Sequence, residues 1–252
     1  MIDIHNHLLI NADDGSQSYK ETLEILEQAQ HDGVKEVIFT PHYGRYGPYR
    51  KTQEELNQLF LDLTRHLTKD GITIAFHRGR ELFIDKCLPD MVKEHSLSTL
   101  ANSHYVLIEM DQYQYPSFND DILYDFKALG YRVIIAHPER YQYVIDNPNF
   151  CLNWLNAGYL LQVNQKSILT GVNHHLANRM IKHGFVSFVA TDAHNKQLSM
   201  NFKQLYDSIT DSADQRTAEI LLFSNPQAVL NDQPLINQEY FPMHQNFLRQ
   251  YI

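Results

Sequence analysis

Cysteine is scarce in this chain. Of 252 residues only Cys87 and Cys151 are cysteines, and they form no C-x-x-C pair. That excludes a disulfide framework and a thiolate-rich zinc module. It also excludes a cysteine-dependent phosphatase, whose nucleophile needs an arginine at the sixth following position; here Lys93 and Ala157 stand there. Both cysteines read as small buried hydrophobes. Long apolar runs are missing too. None approaches the roughly 18 residues that span a bilayer. A strand and candidate chemistry begin at Met1, leaving no room for a leader, so a cytoplasmic protein is expected. There is no G-x-x-x-x-G-K-[ST] loop and no G-x-G-x-x-G turn, so the chain is not an evident ATPase or dehydrogenase. Positive charge is short: 21 Lys and Arg against 30 Asp and Glu give a net charge of -9 with neutral histidines. Nucleic-acid binders are usually basic, so the partner is expected to be a protein or small molecule. A phosphate substrate would need local positive charge, such as bound metal. No Pro-, Gly- or Ser-rich linker appears, so residues 1–252 are expected to form a single domain, with 231–252 as a C-terminal tail lacking clear periodicity.

What is present is a repeated unit: a helical pattern, a glycine, a short apolar run, then a polar residue. Gly33 precedes 34–39 and His42; Gly71 precedes 72–76 and Glu81; Gly130 precedes 131–136 and His137; Gly158 precedes 159–163 and Asn164; Gly184 precedes 185–190 and Asp192. Glycine just past a helix end is the usual left-handed cap. The runs lack strict alternation, as buried parallel strands do. Residues 1–4 and 105–108 fit as two more strands, giving seven. Ser18 with Glu21 and Thr52 with Glu55 form capping boxes opening helices. Further helices are expected over about 118–129, 148–156, 167–183, 200–209 and 214–223. The fold class is therefore α/β with a parallel sheet, and this many units favour a barrel.

In a barrel the chemistry gathers at the C-terminal ends of the strands. Those ends carry His5 and His7, His42, Glu81, Glu109, His137, Asn164, and Asp192 with His194. His5 and His7 point the same way from a strand. Each alone is unremarkable, since lone histidines and carboxylates are usually solvated or structural; the joint pattern is not. Imidazoles and carboxylates without thiolates suit Mn²⁺, Fe²⁺, Mg²⁺ or Zn²⁺, and so many candidates imply two or three ions. Arg140, three residues past His137, offers a planar fork for phosphate oxygens. The loop 43–51, with Arg45, Tyr46 and Arg50, is expected to form a substrate rim, joined by Tyr113 and Tyr115. His77 is ambiguous because it lies close to Glu81.

The set His5-Asn6-His7, Asp13-Asp14-Gly15, Thr40-Pro41-His42, Glu81, Glu109, Ala136-His137-Pro138-Glu139-Arg140-Tyr141 and Thr191-Asp192-Ala193-His194-Asn195 resembles the PHP (polymerase and histidinol phosphatase) superfamily. Order and spacing are similar to its bacterial manganese-dependent protein-tyrosine phosphatases of capsule and exopolysaccharide operons. The likeness runs from Met1 to about Leu230. It implies a distorted (β/α)7 TIM-like barrel holding three ions, with Mn²⁺ the expected metal. By matching position, His5, His7, Glu81 and Asp192 would hold one ion. Glu81 would bridge to a second, held with Glu109 and His137. Asp14, His42 and His194 would hold the third. The implied reaction is direct hydrolysis of phosphotyrosine on a cognate bacterial tyrosine kinase, with Arg140 on the phosphate. The alternatives are a PHP phosphoesterase for a small phosphate such as histidinol phosphate, or a non-catalytic PHP scaffold. A metal amidohydrolase is disfavoured because no lysine stands at a strand end. Two departures concern substrate grip. Tyr43 stands where the family often has histidine, and the family arginine near Ser199 is missing, so either Arg45, Arg50 or Lys196 replaces it or phosphate affinity is lower.

Overall fold

The computed structural model describes residues 1–44, 49–196, 200–235, 239–244 and 251. Among the described residues the strands pair in parallel. One sheet has β1 (Ile2–Asp3), β2 (Glu36–Phe39) and β4 (Ala75–Arg78) in the order β1-β2-β4. The other comprises β3 (His42–Tyr43), β5 (Glu81–Phe83), β6 (Tyr105–Glu109), β7 (Arg132–Ala136), β8 (Leu160–Asn164) and β9 (Phe188–Ala190), in the order β3-β5-β6-β7-β8-β9.

The seven expected strands become nine segments because two are interrupted. After Phe39 the chain meets Thr40-Pro41, and proline has no N–H for a ladder. It resumes as β3, which pairs with β5 at His42 and Glu81. The neighbouring strand breaks at Gly79-Arg80. A Cβ on Gly79 would lie 2.8 Å from Ile38 Cγ2 and 2.9 Å from Leu100 Cδ2, so only glycine passes there. Across the break Gly79 N donates to Phe39 O (2.9 Å). The ladder of this strand starts at Ala75, opposite Glu36, rather than at Ile72 as the apolar run suggests. Ile72 and Ile74 are buried ahead of it, spent on packing rather than pairing.

Residues 5–7 join the first and last strands. Asp192 N donates to His5 O (2.9 Å) and His7 N to Ala193 O (2.8 Å), while on the other flank Thr40 N donates to Asn6 O (3.0 Å). The result is a distorted (β/α)7 TIM-like barrel. Its interior is filled by Ile4, Ile38, Tyr105, Leu107, Ile134, Ala136, Phe188 and Ala190. Alternate residues of one strand face one way. Continuing that alternation past Ile38, Leu107 and Ala190 turns His42, Glu109 and Asp192 to the same interior, at the barrel's end.

Helices pack outside. Tyr19–His31 starts at Ser18, whose hydroxyl accepts from Glu21 N, and buries Ile25, Leu26 and Ala29. Gln53–Lys69 opens with the complete Thr52/Glu55 capping box. The helix expected over 167–183 is two, Gln165–Leu169 and His174–Lys182, split at Gly171. Among the described residues no helix is long and apolar enough to cross a membrane.

Candidate metal centre

The structure brings the nine expected ligand residues to one end of the barrel. His5, His7 and Glu81 are fully buried and His137 is nearly so. Glu81 is the hub. Its Oε2 lies 3.3 Å from His5 Nε2, 3.2 Å from His7 Nε2 and 3.0 Å from His42 Nδ1, yet it accepts no hydrogen bond. Its Oε1 is 2.9 Å from His137 Nε2. Asp192 Oδ1 is 3.4 Å from both His5 and His7 Nε2, and those two nitrogens are 3.2 Å apart. Two ligand atoms each ~2.1 Å from one ion lie roughly 3.0–3.4 Å apart. Buried nitrogens and oxygens converging at that spacing, with Glu81 Oε2 accepting no hydrogen bond, fit divalent cations between them.

Among the described residues three groups of potential ligand atoms form, each with its atoms within 4.8 Å of one another: His5, His7 and Glu81; His42, Glu81 and Glu109; and His7, Asp14, His42 and His194. His7 and His42 thus each reach two groups, a sharing that order along the chain does not reveal.

Residues behind the candidate ligands fix their orientation. His7 Nδ1 lies 2.7 Å from Asp13 Oδ2, His5 Nδ1 2.8 Å from Gln162 Oε1, and His194 Nδ1 2.9 Å from the Asp192 carbonyl. Each acceptor holds the proton on Nδ1 and leaves the Nε2 lone pair for the centre. Asp13 also accepts from His42 N (2.8 Å). Gln162 donates to Asn164 Oδ1 (2.9 Å), and Asn164 Nδ2 donates to Asp192 Oδ2 (2.6 Å). Asn164 therefore supports Asp192. The roles of Asp13 and Gln162 were missed in the sequence. The available signal for Gln162 was a polar residue inside the run Leu160-Leu161-Gln162-Val163.

The charges show the same demand for cations. Burial opposes charge on His5, but Glu81 and Asp192 outweigh it and raise its pKa to about 9. Burial also opposes charge on Glu81, but His5 and His42 hold it well below the usual carboxylate range. Glu109 is pushed up, first by burial and then by the Glu81 carboxylate. Two site residues have left-handed backbone, His137 (φ 32°) and Asp192 (φ 52°). Such strain in non-glycine residues gathers at functional sites. The bend at His137 leads into the turn Pro138–Arg140, where Arg140 Nη1 donates to Asp192 Oδ2 (3.2 Å).

Above the cluster opens a cavity of about 700 Å³. Asp14, Glu81, Glu109 and Asp192 line its acidic part, Tyr43, Tyr49 and Phe83 an aromatic part, and Arg140 and Lys166 supply cations. Lys166 is a further omission of sequence reading, which looked for lysine only at strand ends; it lies two residues past the end of β8. Of the expected rim, Arg45 and Tyr46 lie outside the described residues, as does Ser199. Tyr49 stacks on His42, with centroids 5.5 Å apart. Arg50 is exposed and does not line the cavity. Lys196 is corrected: it is ion-paired with Glu24, so its charge is engaged on the outer helix. Tyr115 is corrected too, donating to Asp120 (2.6 Å) and accepting from Trp154 Nε1 (3.1 Å) inside an aromatic cluster. Tyr113 is exposed away from the cavity lining. His77 pairs with Glu36 (2.8 Å) and takes no part in the cluster.

Related sequences and a similar fold are found in other proteins. Residues 1–231 match the family model for capsular polysaccharide synthesis proteins, CpsB/CapC. The putative tyrosine-protein phosphatase CapC of Staphylococcus aureus is 32% identical over 201 residues, 77% of each chain. Tyrosine-protein phosphatase YwqE of Bacillus subtilis (strain 168) is 26% identical over 246 residues, 96% of each chain. A crystal structure from work on YwqE of Bacillus subtilis and CpsB of Streptococcus pneumoniae, described as unique metal-dependent tyrosine phosphatases, superposes with a TM-score of 0.92 at 25% identity, covering 97% of this chain and all of that one. With a family match over nearly its whole length and a solved relative of the same fold, the chain belongs to the CpsB/CapC family of capsular polysaccharide synthesis proteins.

Proposed function

We propose that this single-domain chain is a cytoplasmic, metal-dependent protein-tyrosine phosphatase. It hydrolyses phosphotyrosine on a cognate bacterial tyrosine kinase and so regulates capsular or exopolysaccharide synthesis. The observation that carries the chemistry is Glu81 Oε2, buried among three imidazole nitrogens at 3.0–3.3 Å without a hydrogen bond. The tyrosine-phosphatase relatives and the metal-dependent solved structure support the substrate class. Three Mn²⁺ ions are proposed. His5, His7, Glu81 and Asp192 would hold the first; Glu81, Glu109 and His137 the second; Asp14, His42 and His194 the third.

Bound divalent ions supply charge that offsets the phosphoryl oxygens and activates water as nucleophile. The chain's own residues do the rest. Arg140, fixed against Asp192, offers its remaining N–H donors to a phosphoryl oxygen. Tyr43, Tyr49 and Phe83 give the substrate ring an apolar wall. Asp13 and Gln162 hold two imidazoles in the binding tautomer. Cys151 is buried, burial pushes its thiol pKa up, and neither it nor Cys87 lines the cavity, so neither is placed for a covalent route there.

The test is hydrolysis of a phosphotyrosyl peptide by chelated protein, before and after restoring Mn²⁺, Fe²⁺, Mg²⁺ or Zn²⁺, with histidinol phosphate as competing substrate and metal content measured in parallel. Activity should vanish on chelation, return best with Mn²⁺ and favour the peptide. Hydrolysis indifferent to chelation, or a preference for histidinol phosphate, would overturn the reading.

A further inference from the structure

Two cations line the cavity among the described residues, and they differ in state. Arg140 is paired with Asp192 at 3.2 Å. Lys166 is exposed, and among the described residues no carboxylate lies within ion-pair distance of its Nζ. Its backbone is nevertheless fixed. The Lys166 carbonyl accepts from Thr170 N (3.0 Å) and Gly171 N (2.8 Å). A Cβ on Gly171 would come within 3.0 Å of that carbonyl oxygen and of Ser167 Cα, so the turn closes tightly onto Lys166. The next residues are anchored as well, Asn173 Nδ2 donating to the Glu139 carbonyl at 2.7 Å. Between them Val172 is fully exposed at the cavity wall.

This wall follows β8, three strands along the sheet from β5, which carries Phe83. Lys166 and Val172 thus stand apart from the aromatic wall. Lys166 also lies at solvent, whereas the cluster floor at His5 and Glu81 is buried. A substrate with extra negative charge would approach a chain of net charge -9. That approach is repulsive unless a cation meets the extra charge.

We propose that Lys166 binds an anionic side chain, carboxylate or phosphate, adjacent to the phosphotyrosine in the substrate, with Val172 packing on the same flank. Lys166 is then a specificity determinant, selecting acidic or multiply phosphorylated tyrosine segments. The proposal rests on the phosphatase reading above.

Three phosphotyrosyl peptides test it on the metal-loaded enzyme: one with neutral flanks, one with Asp and Glu flanks, one with a neighbouring second phosphotyrosine. The readout is the ratio of kcat/KM for each anionic peptide to the neutral one. In the starting protein the ratio should be about fivefold, the upper range for an exposed charge pair. It should sit mainly in KM and shrink with added salt. Lys166→Glu should invert it and Lys166→Arg should keep it. A response to the doubly phosphorylated peptide alone would assign the anion as phosphate; a response to both would assign it to charge. A ratio unchanged by Lys166→Glu overturns the proposal, while failure of the starting protein on the neutral peptide strikes the phosphatase reading instead. In that event fluorescence polarisation of the same peptides reads the same ratio from affinities, and absence of binding by all three sinks both.

Discussion

Asp13 and Asp14 are sequence neighbours with different environments. Asp14 faces the cavity, while Asp13 is turned inward to His7 Nδ1 and His42 N. Asp13→Ala should therefore weaken metal binding by about 10–100-fold, the usual effect of losing an acceptor behind a ligating histidine; metal titration followed by thermal shift measures it. Arg140→Ala should cost about 2–4 kcal/mol of transition-state stabilisation, lowering kcat and kcat/KM together in steady-state kinetics. His5 sets a pH dependence. Its folded pKa is about 9 against the ordinary histidine value of 6.5. Between those values the folded state holds a proton that the unfolded state has released, so this stabilisation is complete below 6.5 and lost as pH rises through 9. Metal competes with that proton. The Tm of chelated protein should fall across this window, and the Tm gain on adding Mn²⁺ should grow. A Mn²⁺-induced gain that shrinks with rising pH would contradict the assignment of His5 as a ligand.

At the scale of elements, the centre depends on tight turns. Gly15 N donates to Asp13 Oδ1 (3.0 Å), and a Cβ at Gly15 would lie 1.9 Å from the His7 carbonyl oxygen. Gly15→Ala must push the 13–16 turn off the first strand, carrying Asp13 and Asp14 with it. Elemental analysis should show reduced metal content and kinetics a reduced kcat, with an unchanged far-UV spectrum, since no helix or strand includes the turn. The strand breaks at Thr40-Pro41 and Gly79-Arg80 have a related effect. They let His42 and Glu81 pair in register on β3 and β5, with their side chains 3.0 Å apart at the hub.

At the scale of the molecule, residues 239–244 strap the outer helices. Phe241 N donates to His183 O (3.0 Å), Met243 N to Asn149 Oδ1 (2.8 Å), and Met243 is buried. None of these groups lines the cavity. Truncation after Leu235 should cost about 2–4 kcal/mol, from one buried methionine and a few hydrogen bonds. That corresponds to roughly 5–10 °C in Tm for a chain of this size, measured by calorimetry. Metal-dependent hydrolysis should survive below the new Tm.

The sequence by itself determined the repeated helix–glycine–strand unit, the apolar interior of the strands and the chemical types at their ends. Each is set by a few consecutive residues: glycine past a helix end, a capping box, an apolar run of strand length. Eight of the nine candidate ligands were legible for the same reason, because strand ends deliver their residues to one place; Asp14, in the turn after the first strand, was marked by the family resemblance. Only the tertiary structure decided what those residues share. Thr191 reaches Asp3 across 188 positions to hold the first strand against the last. That closure brings His5 and His7 within 3.4 Å of Asp192. Likewise it decided that Asp13 and Gln162 stand behind the candidate ligands, that Lys196 is engaged by Glu24, and that Lys166 faces the cavity. Local pattern fixes a side chain's direction within its own element; its partner across the barrel depends on how all the strands close together.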